Sequence, residues 1–306
     1  MVTSNLARSR TRKQALTEGV IAGVFFGTAA IFIRFVEGLD IFSIVFWRLL
    51  LGCLTLAGLA VAFRGMFQPR LIKQNLKELL ILGFLLALHF IFFTASVKDT
   101  TILNATVLVN TVPLFSMLVS SFFYRLKPSR IALVGLLVSF IGMLVIAFAE
   151  AANTRSSAEG FSLNVKGDLE AVAAAIVAAF YLNYGRKVRS QMTLLSTMLP
   201  IYGFIAVFVG IASILVGKGV SPFPLTLGGA VPLVGLALLP TAIAHTLYFS
   251  SLSNLKSFET ATLALLEPIG ATILGIAVFQ EVPAPIFAFG AVLVIIGILF
   301  VVKKAS

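Results

Sequence analysis

A chain of 306 residues that is 59% hydrophobic and only 11% charged, with a mean hydropathy of +1.06, is not a water-soluble domain, where about a quarter of the residues carry charge. No globular core of this length needs so much apolar surface, so the solvent is lipid and the class is a polytopic membrane protein. The net charge of +11 is therefore tested first as a topological signal and not as a nucleic-acid footprint, and the single cysteine, Cys53 in an apolar run, excludes an intramolecular disulfide.

In chain order, residues 1–17 carry Arg8, Arg10, Arg12 and Lys13 and read as a solvated basic leader. No small-residue cleavage pattern follows, so a removed signal peptide is not expected. Apolar runs of about spanning length then recur: Glu18–Val36, Ile41–Phe63, Leu79–Val97, Ile102–Phe123 and Ile131–Ala149. The polar stretch 150–166 is the longest interruption and the expected boundary between two halves, 18–149 and 167–302. The second half supplies Asp168–Gly185, Leu194–Val216, Ala230–Leu252, Phe258–Phe279 and Pro285–Val302, before a short tail, 303–306. Long apolar runs without two-residue alternation are helices and not barrel strands. The fold class is all-α, with ten transmembrane helices.

Alternating ten spans from an inside N-terminus puts 17 of the 23 basic residues in cytoplasmic segments and four outside, with Arg34 and Arg48 within spans. That bias predicts both termini in the cytoplasm of a plasma (inner) membrane protein and removes nucleic acid as a partner. The two halves also repeat. Pro113, Pro128, Gly135 and Gly142 precede Pro268, Pro283, Gly290 and Gly297 by a single offset of 155 residues, which Ser96 and Ser251 share. Proline and glycine drift least because each fixes a backbone state others cannot easily supply. Five spans per half is an odd number, so the second half enters the membrane inverted, the architecture of many secondary transporters with a midplane site at the repeat interface.

Ionisable residues inside spans are costly and mark cavities or partners. Glu267, near mid-depth beside the helix-breaking Pro268, could bind an ammonium or a proton, or serve as a structural acceptor. Pro113 is its helix-breaking counterpart, and the two prolines are candidate hinges. His89 lies at the centre of the third span with Phe93 and Ser96 on its face. Its imidazole could orient a substrate or be satisfied by a neighbouring helix. His245 is its rough counterpart. Arg48 could attract a carboxylate, but the favoured reading is a side chain that snorkels to outer headgroups or pairs with Asp40 or Glu37. Arg34 reads the same way. Asn110, Thr106, Asn104, Tyr181, Asn183, Tyr184 and Tyr248 could each supply an orienting hydrogen bond or a helix–helix contact. The seven-residue spacing of Gly135/Gly142 and Gly290/Gly297 gives a close-packing face, intramolecular in the favoured reading, with a homodimer as the alternative. No nucleotide-binding loop, zinc-protease motif or nucleophile elbow occurs, so no cofactor, metal or enzymatic activity is expected.

The run ALLEPIGATILGIAVFQEVP, Phe46-Trp47-Arg48 after Gly38-Leu39-Asp40, and the paired stretches FTASVKDTTILNATVLVNTVPLF and LYFSSLSNLKSFETATLALLEP resemble EamA-type permeases of the drug/metabolite transporter superfamily. The resemblance covers roughly Glu18–Val302. It implies two inverted five-helix repeats, a central cavity, and export or exchange of amino acids or related small metabolites, aromatic and apolar ones included. The expected substrate-binding set is His89, Glu267, Asn110, Tyr181, Tyr248, Phe93, Arg48 and His245. A channel or lipid scramblase is the alternative, and a membrane-embedded enzyme comes after it.

Overall fold

A computed structural model describes residues 11–63, 67–126, 128–153, 164–279 and 283–303. The first half comprises α1 (Arg12–Phe26), α2 (Ala29–Phe35), α3 (Ile41–Ala62), α4 (Pro69–Gln74), α5 (Leu76–Asp99), α6 (Ile102–Val109), α7 (Val112–Tyr124) and α8 (Arg130–Asn153). The second comprises α9 (Val165–Arg189), α10 (Leu194–Leu215), α11 (Leu227–Leu236), a π-helical segment (Ala237–His245), α12 (Thr246–Ser251), α13 (Ser257–Leu263), a 3-10 turn (Ala264–Leu266), α14 (Glu267–Phe279) and α15 (Pro285–Val302). Among the described residues nine helical stretches are long and apolar enough to span a bilayer. The tenth long helix, α9, has 25 residues but is alanine-rich and charged at both ends. It is packed inside the bundle, with Ala171, Ala174, Ala175 and Ala179 fully buried, so it needs little lipid-facing hydrophobicity.

Four helices begin on a side-chain cap at the end opposite the chain termini. Asp40 accepts from the Phe42 and Ser43 amides, Thr101 from Asn104, Asn164 from Gly167 and Thr226 from Gly229. Outward faces stay apolar, as at Leu137, Phe148, Ile211 and Leu299, which suits lipid and not water.

The 155-residue offset survives in three dimensions. Ile102–Tyr124 maps onto Ser257–Phe279 at both ends, and the start of α7 at Val112 maps onto the start of α14 at Glu267. The glycine landmarks explain the closest helix pair. A Cβ on Gly135 would lie 2.6 Å from the Gly297 carbonyl oxygen, and one on Gly142 would lie 2.6 Å from the Val294 nitrogen and 2.7 Å from the Gly290 carbonyl oxygen. Between them the Ser139 hydroxyl donates to the Val294 carbonyl at 3.4 Å, a contact between residues 155 apart. The pairs are reciprocal: Gly135 meets the repeat-mate of Gly142, and Gly142 meets the repeat-mate of Gly135. Helices α8 and α15 therefore cross antiparallel about a pseudo-two-fold axis near Ser139 and Val294, and the repeats are inverted. This glycine face is occupied within the chain and not offered to a second copy.

Three features depart from the sequence reading. Helix α1 starts at Arg12, inside the stretch read as a solvated leader. Arg12 makes a two-pronged ion pair with Glu259 (2.9 and 3.2 Å) and donates to the Val302 carbonyl at 2.6 Å. The first span is broken between α1 and α2 at Gly27 and Thr28. Helix α8 continues through Glu150 to Asn153, so the polar stretch begins as helix, and 154–163 lie outside the described residues.

Candidate functional site

Breaks in four spans converge at one level. In the fourth span α6 ends at Val109 and α7 begins at Val112; in the ninth, α13 passes through a 3-10 turn before α14 begins at Glu267. Pro113 and Pro268 are the second residues of α7 and α14. Neither has an amide hydrogen to give back to the carbonyl four residues earlier, that of Val109 or Ala264. The first span breaks at Gly27, where a Cβ would collide with the backbone of Glu267 and Gly270, so α1 and α14 cross backbone to backbone. The eighth span widens into the π-helical segment around Pro240. The breaks are matched by symmetry only in spans four and nine: α9 runs unbroken where α1 breaks, and α5 stays regular where the eighth span turns π-helical.

A cavity opens at these breaks. All eight residues expected at a binding site face it: His89, Glu267, Asn110, Tyr181, Tyr248, Phe93, Arg48 and His245. Val109 and Ala264, the two residues whose carbonyls the prolines leave, line it as well.

One pole is acidic. Glu267 is buried, and its carboxylate accepts from the Asn110 amide at 3.0 Å, a bond between the two repeats. The opposite pole is cationic. Arg48 is 1% exposed, which overturns the reading of a snorkelling side chain. Asp40 is engaged instead in capping α3 and in bonding Ser43 at 2.5 Å, so Arg48 turns inward. Its Nε donates to the Thr241 hydroxyl at 2.9 Å and its guanidinium carbon lies 4.2 Å from the centre of the Phe90 ring. Thr241 is fixed in turn by donating to the Leu236 carbonyl, and its own carbonyl accepts from Tyr202 at 2.7 Å. Arg34 donates to the Thr100 carbonyl at 2.8 Å.

Between the poles runs an aromatic wall. Phe90 and His245 meet at 4.7 Å, His245 and Phe26 at 4.8 Å, and Phe26 and Tyr248 at 5.1 Å, all edge to face. The rings of His89 and Phe93 lie parallel at 6.2 Å, and the two histidine rings are 6.1 Å apart. His89 Nδ1 sits 3.0 Å from the Ala174 carbonyl. A carbonyl only accepts, so Nδ1 carries the hydrogen and Nε2 of the neutral ring is an acceptor. Tyr181 lies on the same cavity with its hydroxyl 3.9 Å from Met198 Sδ.

Other polar candidates are placed elsewhere. Asn104 donates to Asp168, Asn183 ties α9 to Ser116 and Ser120, and Thr106 bonds back to its own helix. Sequence reasoning missed Phe26, one of 28 phenylalanines with no distinguishing neighbour, and Thr241, whose part depends on the π-helical turn.

Ten long helices in two inverted repeats, with a central cavity at helix discontinuities, define a multi-pass membrane transporter. The sequence profile of the EamA-like transporter family matches residues 15–148 and 165–303, and the chain belongs to that family, within the drug/metabolite transporter superfamily. Its relatives include the uncharacterized transporters YxxF and YdfC of Bacillus subtilis. YxxF is 25% identical over 87% of this chain and 82% of its own length, and YdfC 28% identical over 88% and 84%. An uncharacterized transporter of Archaeoglobus fulgidus is 26% identical over 95% of this chain and 96% of its own. A crystal structure with 19% identity superposes with a TM-score of 0.74 over 95% of this chain and 96% of that one, which shows a shared fold.

Proposed function

We propose that this transporter is a secondary carrier that moves small metabolites, amino acids with apolar or aromatic side chains foremost, by alternating access. It sits in the plasma (inner) membrane with both termini cytoplasmic and works as an exporter or exchanger. The observation that carries the reading is the cavity at the breaks of spans one, four, eight and nine, which both repeats line and across which Asn110 and Glu267 join them. Inverted repeats around such a site can rock to expose it to either side in turn. Pro113 and Pro268 serve as hinges, because each begins a helix segment that is not hydrogen-bonded in register to the segment before it. The eight cavity residues form the substrate site, with His89 orienting the solute.

The test is counterflow in liposomes holding purified protein, preloaded with single unlabelled amino acids and probed with the labelled forms. Saturable uptake stimulated by internal substrate supports a carrier, and uptake weakened by His89→Ala supports the site. Linear flux without stimulation would replace the carrier with a channel.

A further inference from the structure

Arg48 is a buried cation without a counter-charge. Among the described residues the ion pairs within 4.0 Å are Arg12–Glu259 and Lys166 with Asp99 and Glu170, and none involves Arg48. Two of its faces are accounted for, Nε by the Thr241 hydroxyl and the guanidinium plane by Phe90, while Nη1 is buried with no hydrogen-bond partner. A guanidinium has five donors and no acceptor, so nothing but an acceptor can complete it. Leaving a buried charge unpaired is among the more costly arrangements a fold can hold, and an apolar side chain of similar size would relieve it. Thr241 and Phe90 orient the free edge, and Arg48 lines the cavity, so the missing acceptor belongs to what enters it.

We propose that Arg48 is the anion-recognition residue of the cavity: Nη1 donates to a carboxylate of the transported solute, and the carrier discriminates against solutes that lack one. The inference rests on the carrier reading above and narrows its substrate to carboxylates with an apolar body. The cavity-lining rings of His245, Phe26 and Tyr248 accommodate that body. Glu267, held by Asn110, accepts an ammonium group when one is present. Guanidinium–carboxylate pairing is stronger than a neutral hydrogen bond, so it sets selectivity more than the wall does.

The test is exchange in proteoliposomes of three labelled solutes: phenylalanine, 3-phenylpropionate, which lacks the ammonium, and phenethylamine, which lacks the carboxylate. Wild type is compared with Arg48→Met, Arg48→Lys and Thr241→Val, and each purified variant is also melted in detergent. Wild type should exchange the two carboxylates and discriminate against phenethylamine by about tenfold or more, as expected for a charge-assisted hydrogen bond. Arg48→Met should lose carboxylate exchange by a similar factor while melting at or above the wild-type temperature. Arg48→Lys should retain part of it. Thr241→Val, which keeps the charge but frees Nε, should raise the half-saturating carboxylate concentration. Phenethylamine carried as well as phenylalanine by wild type, with Arg48→Met unaffected, leaves the carrier standing and overturns the assignment. Arg48→Met that melts lower or fails to fold makes the guanidinium a structural tie to the π-helical segment and also overturns it. Folded wild type that exchanges none of the three removes the amino-acid carrier reading together with the assignment.

Discussion

At the scale of single residues, the site is where the sequence breaks its own rule. A chain with 11% charged residues places very few of them inside spans, and of those Glu267 and Arg48 meet at one cavity, together with the two histidines. Cost makes them legible, since lipid does not tolerate a stray ionisable group. What cost does not reveal is direction. Arg48 is near enough to a span end to reach headgroups, and only the engagement of Asp40 as the α3 cap and the position of Thr241 turn it inward. The Asn110–Glu267 bond makes a direct prediction. Asn110→Ala and Glu267→Ala should each lower thermal stability, but the double variant should lose less than the sum of the two. The coupling should be about 0.5–2 kcal/mol for a buried bond to a carboxylate. A melting-based double-mutant cycle measures it, and strict additivity would mean that the bond contributes nothing. Glu267→Gln retains the acceptor without the charge. Stability close to wild type with impaired exchange would separate holding the fold from holding the solute.

At the scale of elements, glycine and proline carried more information than hydropathy did. Apolar periodicity is weak here, because lipid is as apolar as the core and helices are hydrophobic all round. The landmarks instead marked the glycine faces that meet where α8 crosses α15, and the paired breaks of the fourth and ninth spans. The break at Gly27 had no proline to mark it; Pro240 stands in the eighth span, but it has no partner at the 155-residue offset and so did not join the landmarks. The crossing predicts opposite outcomes for two glycines. Gly142→Ala should destabilise by about 1–3 kcal/mol, since its Cβ would press on the α15 backbone. Gly58→Ala, with open space around it on an exposed face of α3, should be neutral or stabilising by up to about 1 kcal/mol through helix propensity. Melting temperatures in detergent decide both. Alanine at Pro113 or Pro268 restores an amide donor and stiffens the break, so exchange should slow while equilibrium binding of substrate persists. Unchanged exchange rates would remove the hinges.

At the scale of the whole molecule, polar ties join the halves at both ends. At the end bearing the termini Arg12 gathers Glu259, Asn254 and Val302, and at the other Thr100 and Asn104 converge on Asp168 while the Trp47 indole donates to the Ser221 carbonyl at 2.9 Å. Composition and charge bias placed these ends in water, but tertiary pairing of residues 247 apart is not written in local sequence. If the cavity opens alternately, Glu259→Ala should favour opening at the end bearing the termini. Val109→Cys in a Cys53→Ala background should then react faster with a thiol reagent from that side, about tenfold for each 1.4 kcal/mol of closure lost. Equal labelling would detach the Arg12 tie from gating. The reciprocal crossing of α8 and α15 reaches further. A contact in which each residue touches the mate of its neighbour is the contact of an isologous dimer, here made by one chain with itself. Such a contact predicts that assembly does not depend on the covalent link between the halves. Two separately expressed five-helix polypeptides, cut within that link, should find each other in the bilayer and purify as a pair.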